Sequence, residues 1–595
     1  MTRIRDGIAA SPGIVVGPAF VLRWEVPRVP HVTVAAEEVD GEIERFHEAR
    51  EWARERIREI QAQTVERLGH VEAQIFEPQI LMLEDVDLVQ GTVAYIRDNH
   101  LGAPRAFELR MLEFQSEWSR SGHPMIMDRL NDLTDIQLRV IRRLLDLPDP
   151  GVHLSNIDGR VILVAKVLAP TITVQLDRER ILGIATDART RTSHSAILAR
   201  SLNLPAVVSL SDLSTSIATG EELILDGREG RVIVGPTEKE KAKYRDRDVR
   251  MREWEQELIL LAHLDAITPD RQPVLLRANI DLPGEAHTAH SHGARGIGLY
   301  RTEFFVVGRS AAPEEEEQYR CYREVVDVFP EDAVYIRTFD LGGDKFPLFL
   351  HMPPEENPFL GWRAIRVCLD TPDMFRAQLR ALLRATAHGD VRIMIPLVND
   401  VSEIRRTRQL LEEEAESLGR AGIPYNRGYK LGIMIETPAA AMTAGELARY
   451  ADFFSIGTND LVQYTLAVDR GNSRLAPLYN PFHPSVVRLL ERTARAGREA
   501  GIEVSVCGEL ASNPLGVFLL LGLGITALSV SPSSLPEVKK VIRSVPSADA
   551  RDAVSRALHA GTPDEVVAIL TKEISRWLDL SLFSGRWSPA APAQP

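Results

Sequence analysis

Between residues 274 and 531, eight short β-branched or apolar runs recur, each followed by a longer stretch with helical spacing. They are VLLRANID (274–281), GIGLYRTEF (296–304), AVYIRTFD (333–340), VRIMIPLV (391–398), YKLGIMIE (429–436), ADFFSIG (451–457), EVSVCGE (503–509) and ALSVS (527–531). Runs of this length between amphipathic helices are the pattern of parallel strands buried on both faces. Eight strand–helix units predict a (β/α)8 barrel over 266–580, with reactive groups at the C-terminal ends of its strands. The rhythm upstream differs. Residues 1–24 read as short β segments punctuated by Gly7, Pro12, Gly13, Gly17 and Pro18. Strand-like runs return after Gly159 in RVILVAKVL, ILGIATD, PAVVSL, ELILDG and RVIVG. Between them, 35–147 repeats apolar residues at helical spacing with almost no strand signal. The pattern predicts a multidomain α/β chain. An α/β domain (1–34 and 148–235) carries an inserted helical subdomain (35–147). A densely charged linker helix (236–265), the barrel, and a flexible Pro/Ala-rich tail (581–595) follow.

Composition narrows the function classes. The chain has 595 residues, too many for one core, with 44% apolar and 26% charged residues and a formal net charge of −14. That balance, without a basic run, argues against a nucleic-acid partner. Three cysteines (Cys321, Cys368 and Cys507) show no paired spacing, so neither a disulfide framework nor a zinc site is expected. No apolar stretch reaches the length of a membrane span, and the N-terminus lacks a signal-type apolar region. A cytoplasmic protein without membrane insertion is expected.

The strand ends carry chemistry. The second run closes on Arg301-Thr302-Glu303, and the third carries Arg337 and Asp340. Asn399 follows the fourth and Glu436 closes the fifth. Asn459-Asp460 follow the sixth, and Cys507 and Glu509 close the seventh. Arg363 and Arg470 lie in segments that follow strands. Several arginines at one mouth suit a ligand with phosphate and carboxylate groups. Glu436 and Asp460 are hard oxygen ligands of the kind that hold Mg2+ together with substrate oxygens. Cys507 reads either as a proton donor or acceptor or as a buried thiol. Upstream, TDARTRTSHSAILARSLNLPAVV (186–208) sets His194 where a hydroxyl-rich turn becomes a helix. Thr192 and Ser193 can cap that helix, and a helix N-terminus suits an anion bonded to the histidine. Alone, such a histidine reads first as one that merely caps or packs near a helix start. With a phosphate-type barrel mouth in the same chain, it reads as a phosphohistidine, and the chemistry as phosphoryl transfer.

The chain resembles enzyme I of the phosphoenolpyruvate:sugar phosphotransferase system. The resemblance runs from ASPGIVVGPAF (10–20) to about residue 575. It rests on TSHSAILARSLNLPAVV, GARGIGLYRTEFF (293–305), IRTFDLGGDK (336–345), ENPFLGWRAIR (356–366), IMIETPAAA (433–441), DFFSIGTNDLVQYTLAVDRGN (452–472) and CGELA (507–511). It implies that His194 accepts the phosphoryl group of phosphoenolpyruvate and passes it to a histidine of the phosphocarrier protein HPr, in the first step of sugar uptake. By motif match, Arg301, Arg337, Arg363, Asn459, Asp460 and Arg470 bind phosphoenolpyruvate. Glu436 and Asp460 ligate Mg2+, Cys507 protonates the enolate to give pyruvate, and Thr173 orients His194. The resemblance also implies that the helical insert docks HPr and that the barrel pairs with its copy in a homodimer. With His194 and the barrel mouth in separate domains, the histidine domain is expected to swing between phosphoenolpyruvate and HPr, with 236–265 and its flanks as the hinge. One departure stands out: Arg189-Thr190 occupy the positions of the family's usual glycine pair.

The same residues admit other readings. An ATP-dependent dikinase needs a nucleotide domain ahead of the histidine, and the largely helical stretch before His194 offers none. A regulatory nitrogen- or carbon-signalling phosphorelay acting on an HPr-like protein is the alternative function, and a pseudoenzyme that only binds HPr is the remaining one. His287, His290 and His292 are spaced too poorly to converge on a metal and read as a solvated helix face. LGGDK (341–345) lacks the spacing of a phosphate-binding Walker loop.

Overall fold

The computed structural model describes residues 3–22, 27–68, 73, 76–120, 124–147, 159–166, 168, 176, 180–187, 204–306, 309, 311–342, 349–350, 355–472 and 474–583. The chain divides into two compact units, Met1–Arg252 and Glu253–Pro595. His194, Thr173, Arg189, Thr190 and the 584–595 portion of the tail lie outside the described residues.

In the first unit, eight strands form one mixed sheet: β1 (Arg3–Asp6), β2 (Ile8–Ser11), β3 (Ile14–Leu22), β4 (Val161–Ala165), β5 (Ile181–Thr186), β6 (Ala206–Val208), β7 (Glu222–Asp226) and β8 (Arg231–Val234). Their order is β1-β8-β7-β3-β4-β5-β6-β2. β3, β4, β5 and β6 run parallel, while β7, β8, β1 and β2 pair antiparallel. The run VILVA of β4 is buried throughout, which is why it shows no alternation in sequence.

Between β3 and β4 the described residues form five α-helices: α1 (Val39–Leu68), α2 (Glu77–Glu84), α3 (Val86–Asn99), α4 (Ala103–Arg120) and α5 (Pro124–Leu144). On α1, Phe46, Ala49, Ala53, Ile57 and Ile60 recur at three- and four-residue spacing and are buried. They meet Phe76, Ile96, Phe107 and Ile136 in a core separate from that of the sheet. The solvent face of α1 is laced with ion pairs such as Arg56–Glu59 and Arg58–Glu55. Asp85 caps α3 by accepting from Leu88 N at 2.9 Å. A charged helix, α6 (Glu238–Leu261), forms over the expected linker. Within the first unit it is tied to the sheet by Lys241–Glu222 and by Arg247–Asp226, both at 3.0–3.2 Å.

In the second unit, eight parallel strands close into a barrel. They are β9 (Leu275–Ile280), β10 (Ile297–Tyr300), β11 (Val334–Arg337), β12 (Val391–Ile395), β13 (Lys430–Ile435), β14 (Phe453–Ile456), β15 (Glu503–Val506) and β16 (Ala527–Val530). Each falls within one of the eight runs read from the sequence, and the multidomain α/β expectation holds. The histidines of AHTAHSHGA fall on or beside a short helix (Glu285–Ser291), where His290 packs edge-on to Phe329. Among the described residues no cluster of three or more His, Cys, Asp or Glu is arranged for a metal, and no helix is long and apolar enough to cross a membrane.

Near the strand starts a buried charged network fills the barrel end opposite the strand C-termini. Arg277 of β9 donates to Glu503 at 2.7 Å and to Asp332 at 3.0 Å, and Arg392 of β12 donates to Glu503 at 3.1 Å. Both guanidinium groups lie about 5 Å from the Tyr335 ring centre, at 4.9 and 5.0 Å, a cation–π arrangement. The Tyr335 hydroxyl donates to the same carboxylate. Burial opposes ionisation of Glu503, yet Arg277, Tyr335 and Arg392 outweigh it and hold the carboxyl below its ordinary range. Glu503→Gln keeps the shape but leaves two arginines short of a counter-charge. Its expected cost is about 2–3 kcal/mol, below the roughly 3–5 kcal/mol of a fully buried broken pair because Glu503 is a quarter exposed. A carboxylate with a depressed folded-state pKa stabilises above its unfolded value and loses that contribution as pH falls. Urea unfolding of the barrel should therefore separate variant and parent at pH 7, with the gap shrinking below about pH 4.5.

Candidate active site

The ladder positions the first pair of residues at the mouth. Arg301 follows β10, and its N–H donates to the carbonyl of Ile280, the last residue of β9, at 3.0 Å. That sets Arg301 beside Asp281, and Arg301 Nη1 donates to Asp281 Oδ1 at 2.7 Å. Arg337 ends β11 and is buried. Its guanidinium donates to Glu303 and lies 3.1 Å from Asp340 Oδ2.

Glu436 follows β13 and is 1% exposed. Its Oε1 accepts from Leu397 N at 2.6 Å. Leu397 adopts φ +55°, a conformation that costs an L residue roughly 1–2 kcal/mol. The strain aims one backbone N–H at the carboxylate. Burial, with the Asp460 and Asp340 carboxylates nearby, still pushes Glu436 well above the usual carboxylate range.

Asn459 and Asp460 lie in the first turn of the helix Thr458–Leu466 after β14. Gly508, after β15, lets that turn approach: a Cβ there would sit 1.9 Å from Thr458 Oγ1 and 2.6 Å from its nitrogen. The side chain of Asn459 completes the contact, donating to Glu509 Oε1 at 3.3 Å and accepting from Glu509 N at 3.0 Å. Asp460 Oδ2 accepts from Arg363 Nη2 at 3.2 Å. Its Oδ1 is buried and accepts no hydrogen bond, with Arg470 Nη1 3.5 Å away.

Cys507 is 3% exposed and follows β15. Ser455 donates to its Sγ at 3.3 Å, and Asn279 Nδ2 donates to its carbonyl at 2.9 Å. Burial, reinforced by the Glu436 charge, pushes the thiol up, against the opposing pull of the Ser455 hydroxyl and of Arg337 and Arg301.

Arg301, Arg337, Glu436, Asn459, Asp460, Arg470 and Cys507 thus line one cavity of about 370 Å3, with Asp281, Glu303, Phe304 and Asp340. Arg363, expected to touch the ligand, is not among its lining residues. It is buried, and its Nη2 donates to Asp340 at 3.0 Å as well as to Asp460, while Nη1 donates to the Tyr464 hydroxyl at 2.9 Å. Gly342, at φ +110°, gives it room: a Cβ there would lie 2.5 Å from Arg363 Cβ. Asp281 was not singled out from the sequence. The signal was present, since it closes the first strand-like run as Glu436 closes the fifth. An acid at a mouth built for anions hides that role.

The mouth fits a divalent cation. Asp460 Oδ1 lacks a hydrogen-bond donor, and Glu436 has one oxygen bonded to a backbone N–H. Two carboxylates without a third protein ligand leave positions for water and substrate oxygens, which is how Mg2+ is usually held. Arg301, Arg337, Arg363 and Arg470 face Asp281, Glu303, Asp340, Glu436 and Asp460. A dication tips that near-balance of charge to the positive, as an anionic ligand requires.

Three family models match in succession: PEP-utilising enzyme, N-terminal (residues 6–129); PEP-utilising enzyme, mobile domain (157–230); and PEP-utilising enzyme, PEP-binding domain (255–547). Phosphoenolpyruvate-protein phosphotransferase from Geobacillus stearothermophilus is 39% identical over 572 residues, 96% of this chain and 98% of the relative. The protein of that name from Haemophilus influenzae is 40% identical over 561 residues, 94% of this chain and 97% of the relative. That from Staphylococcus aureus is 38% identical over 580 residues, 96% of this chain and the whole of the relative.

The raised thiol pKa fixes an expected reactivity. At pH 8, Cys507 should react with iodoacetamide at least several-fold more slowly than glutathione, because its thiolate is scarcer. Glu436 itself is pushed up to about 8, so Glu436→Gln removes a charge that disfavours the thiolate chiefly above that pH, and the reaction should accelerate at pH 9. Peptide-resolved mass spectrometry of alkylation against time checks both.

Proposed function

The chain belongs to the phosphoenolpyruvate-protein phosphotransferase family, and from that premise we propose how its barrel mouth and His194 divide the reaction. The enzyme transfers a phosphoryl group from phosphoenolpyruvate to protein. The observation that carries the residue assignment is the convergence of Arg301, Arg337 and Arg470 with Glu436, Asp460 and Cys507 on one cavity.

In this reading Arg301 and Arg337 grip the phosphate, and Arg470 and Asn459 orient the rest of the substrate. Arg363 acts through Asp460, whose carboxylate it holds in place. Glu436 and Asp460 would hold Mg2+, which when bound neutralises charge on the phosphate and enolate oxygens. His194 Nε2 attacks phosphorus, the P–O bond to the enol oxygen breaks, and its electron pair stays on oxygen as the enolate. Cys507 then gives its proton to the methylene carbon, forming the methyl group of pyruvate and leaving a thiolate that water reprotonates. The raised thiol pKa keeps the proton on sulfur at neutral pH, as a donor requires.

Phosphohistidine next passes its group to a histidine of the phosphocarrier HPr, with Thr173 orienting His194. The helical segment 35–147 would receive HPr, the 236–265 segment would serve as the hinge, and the barrel would pair in a homodimer in the cytoplasm. Arg189, in place of a glycine, would add a charged contact to the phosphoryl group. The regulatory alternative is not favoured, since the match to the phosphotransferases spans 96% of the chain.

The test is incubation of the full chain with phosphate-labelled phosphoenolpyruvate and Mg2+. Acid-labile, alkali-stable label is expected, absent in His194→Ala and abolished by chelator until Mg2+ is restored. Label persisting in His194→Ala would overturn the assignment of the acceptor. Label surviving chelation would overturn the metal role.

A further inference from the structure

One ion pair of the mouth differs from the rest. Arg337 and Arg363 are bound to carboxylates whose side chains are only 4–8% exposed, so exchanging those partners would strand a buried charge. The Arg301–Asp281 pair is 36% and 61% exposed, so either member can turn to water at little cost. Asp281 has no other visible duty. The turn after β9 is held instead by Glu285, whose Oε2 accepts from Asp281 N at 2.7 Å and from Leu282 N at 3.1 Å. Among the described residues, the Asp281 carboxylate has Arg301 as its partner. Nor does Arg301 need Asp281 to keep its place, since its backbone is fixed by the 3.0 Å bond to the Ile280 carbonyl.

We propose that Asp281 is the counter-ion that the anionic substrate displaces from Arg301, and that this exchange sets how tightly the mouth takes phosphoenolpyruvate. The inference rests on the reading of the mouth given above. Before substrate arrives, the carboxylate occupies the guanidinium edge that a phosphate would use, and the pair is self-neutralised. On binding, phosphate oxygens replace Oδ1 and the Asp281 side chain turns outward into solvent. Affinity is thereby lowered by the strength of one exposed ion pair. A substrate lacking a dianionic group cannot repay the displacement, so Asp281 also raises selectivity for phosphate over singly charged acids.

Calorimetric titration of the full chain with phosphoenolpyruvate and Mg2+, in a His194→Ala background that cannot turn over, tests this directly. Asp281→Asn keeps a neutral oxygen beside Arg301, and Kd should fall about two- to five-fold, a gain that fades as salt is raised. Asp281→Ala should move Kd in the same direction. In an Arg301→Gln background the Asp281→Asn change should leave Kd nearly unmoved. An unchanged or higher Kd in Asp281→Asn, or an equal gain in both backgrounds, would overturn the exchange. The second of these would mean that Asp281 acts only through the general field of the mouth. Absence of binding to the chain with Asp281 intact would instead overturn the phosphoenolpyruvate reading of the mouth. With His194 restored, the expected signature is a lower KM with kcat within about two-fold of the parent.

Discussion

Closing eight parallel strands into a ring is the constraint on which the site depends. Parallel order sends every strand C-terminus to one rim, so residues far apart in the chain meet there. Asp281 and Cys507 lie at opposite ends of the barrel sequence, yet both line the mouth. The same ladder fixes backbone positions before any ligand is present. Arg301 follows its register with β9, and Arg337 is itself the last residue of β11. A rim assembled in this way needs little rearrangement at the moment of reaction, which favours electrostatic stabilisation of a transferring phosphoryl group.

Crowding charges at such a rim is tolerable only because each has a partner. Arg363 shows how this is arranged. It lies behind the cavity surface and joins Asp340 to Asp460, so that two carboxylates from different strand–helix units share one guanidinium. Asp460 is left with one oxygen satisfied and one open. The site is neither fully compensated nor fully repulsive, and that intermediate condition suits a cation and an anionic substrate that arrive together.

The architecture was largely legible because burial on both faces leaves an unambiguous pattern. The runs that became β9 to β16 are short, apolar and separated by helical spacing. The strand-end rule then picked out Arg301, Arg337, Glu436 and Cys507 without any three-dimensional information. Features that depend on backbone conformation or side-chain direction were not legible. Nothing in PLVND announces that Leu397 takes a positive φ and gives its N–H to Glu436. Motif matching could place Arg363 near the ligand but could not say that its side chain turns toward Asp340 and Asp460. Asp281 sat at a strand end in plain view, but its charge matched no expected role in binding an anion. The role of His194 rests on its sequence context, since that residue lies outside the described part of the chain.

The charged network around Tyr335 has a consequence for the traffic of small particles through the barrel. Arg277, Arg392 and Glu503 lie at the strand-start end, and Leu299, Met394, Met434 and Phe453 pack round Tyr335 and Cys507 above them, so the barrel interior is a packed core and not a pore. Among the described residues, the mouth cavity that Cys507 lines is its contact with solvent, and the thiol residue is 3% exposed there. A ligand filling that cavity would cover the thiol. In the proposed donor role, Cys507 would then have one proton to give before the mouth empties again.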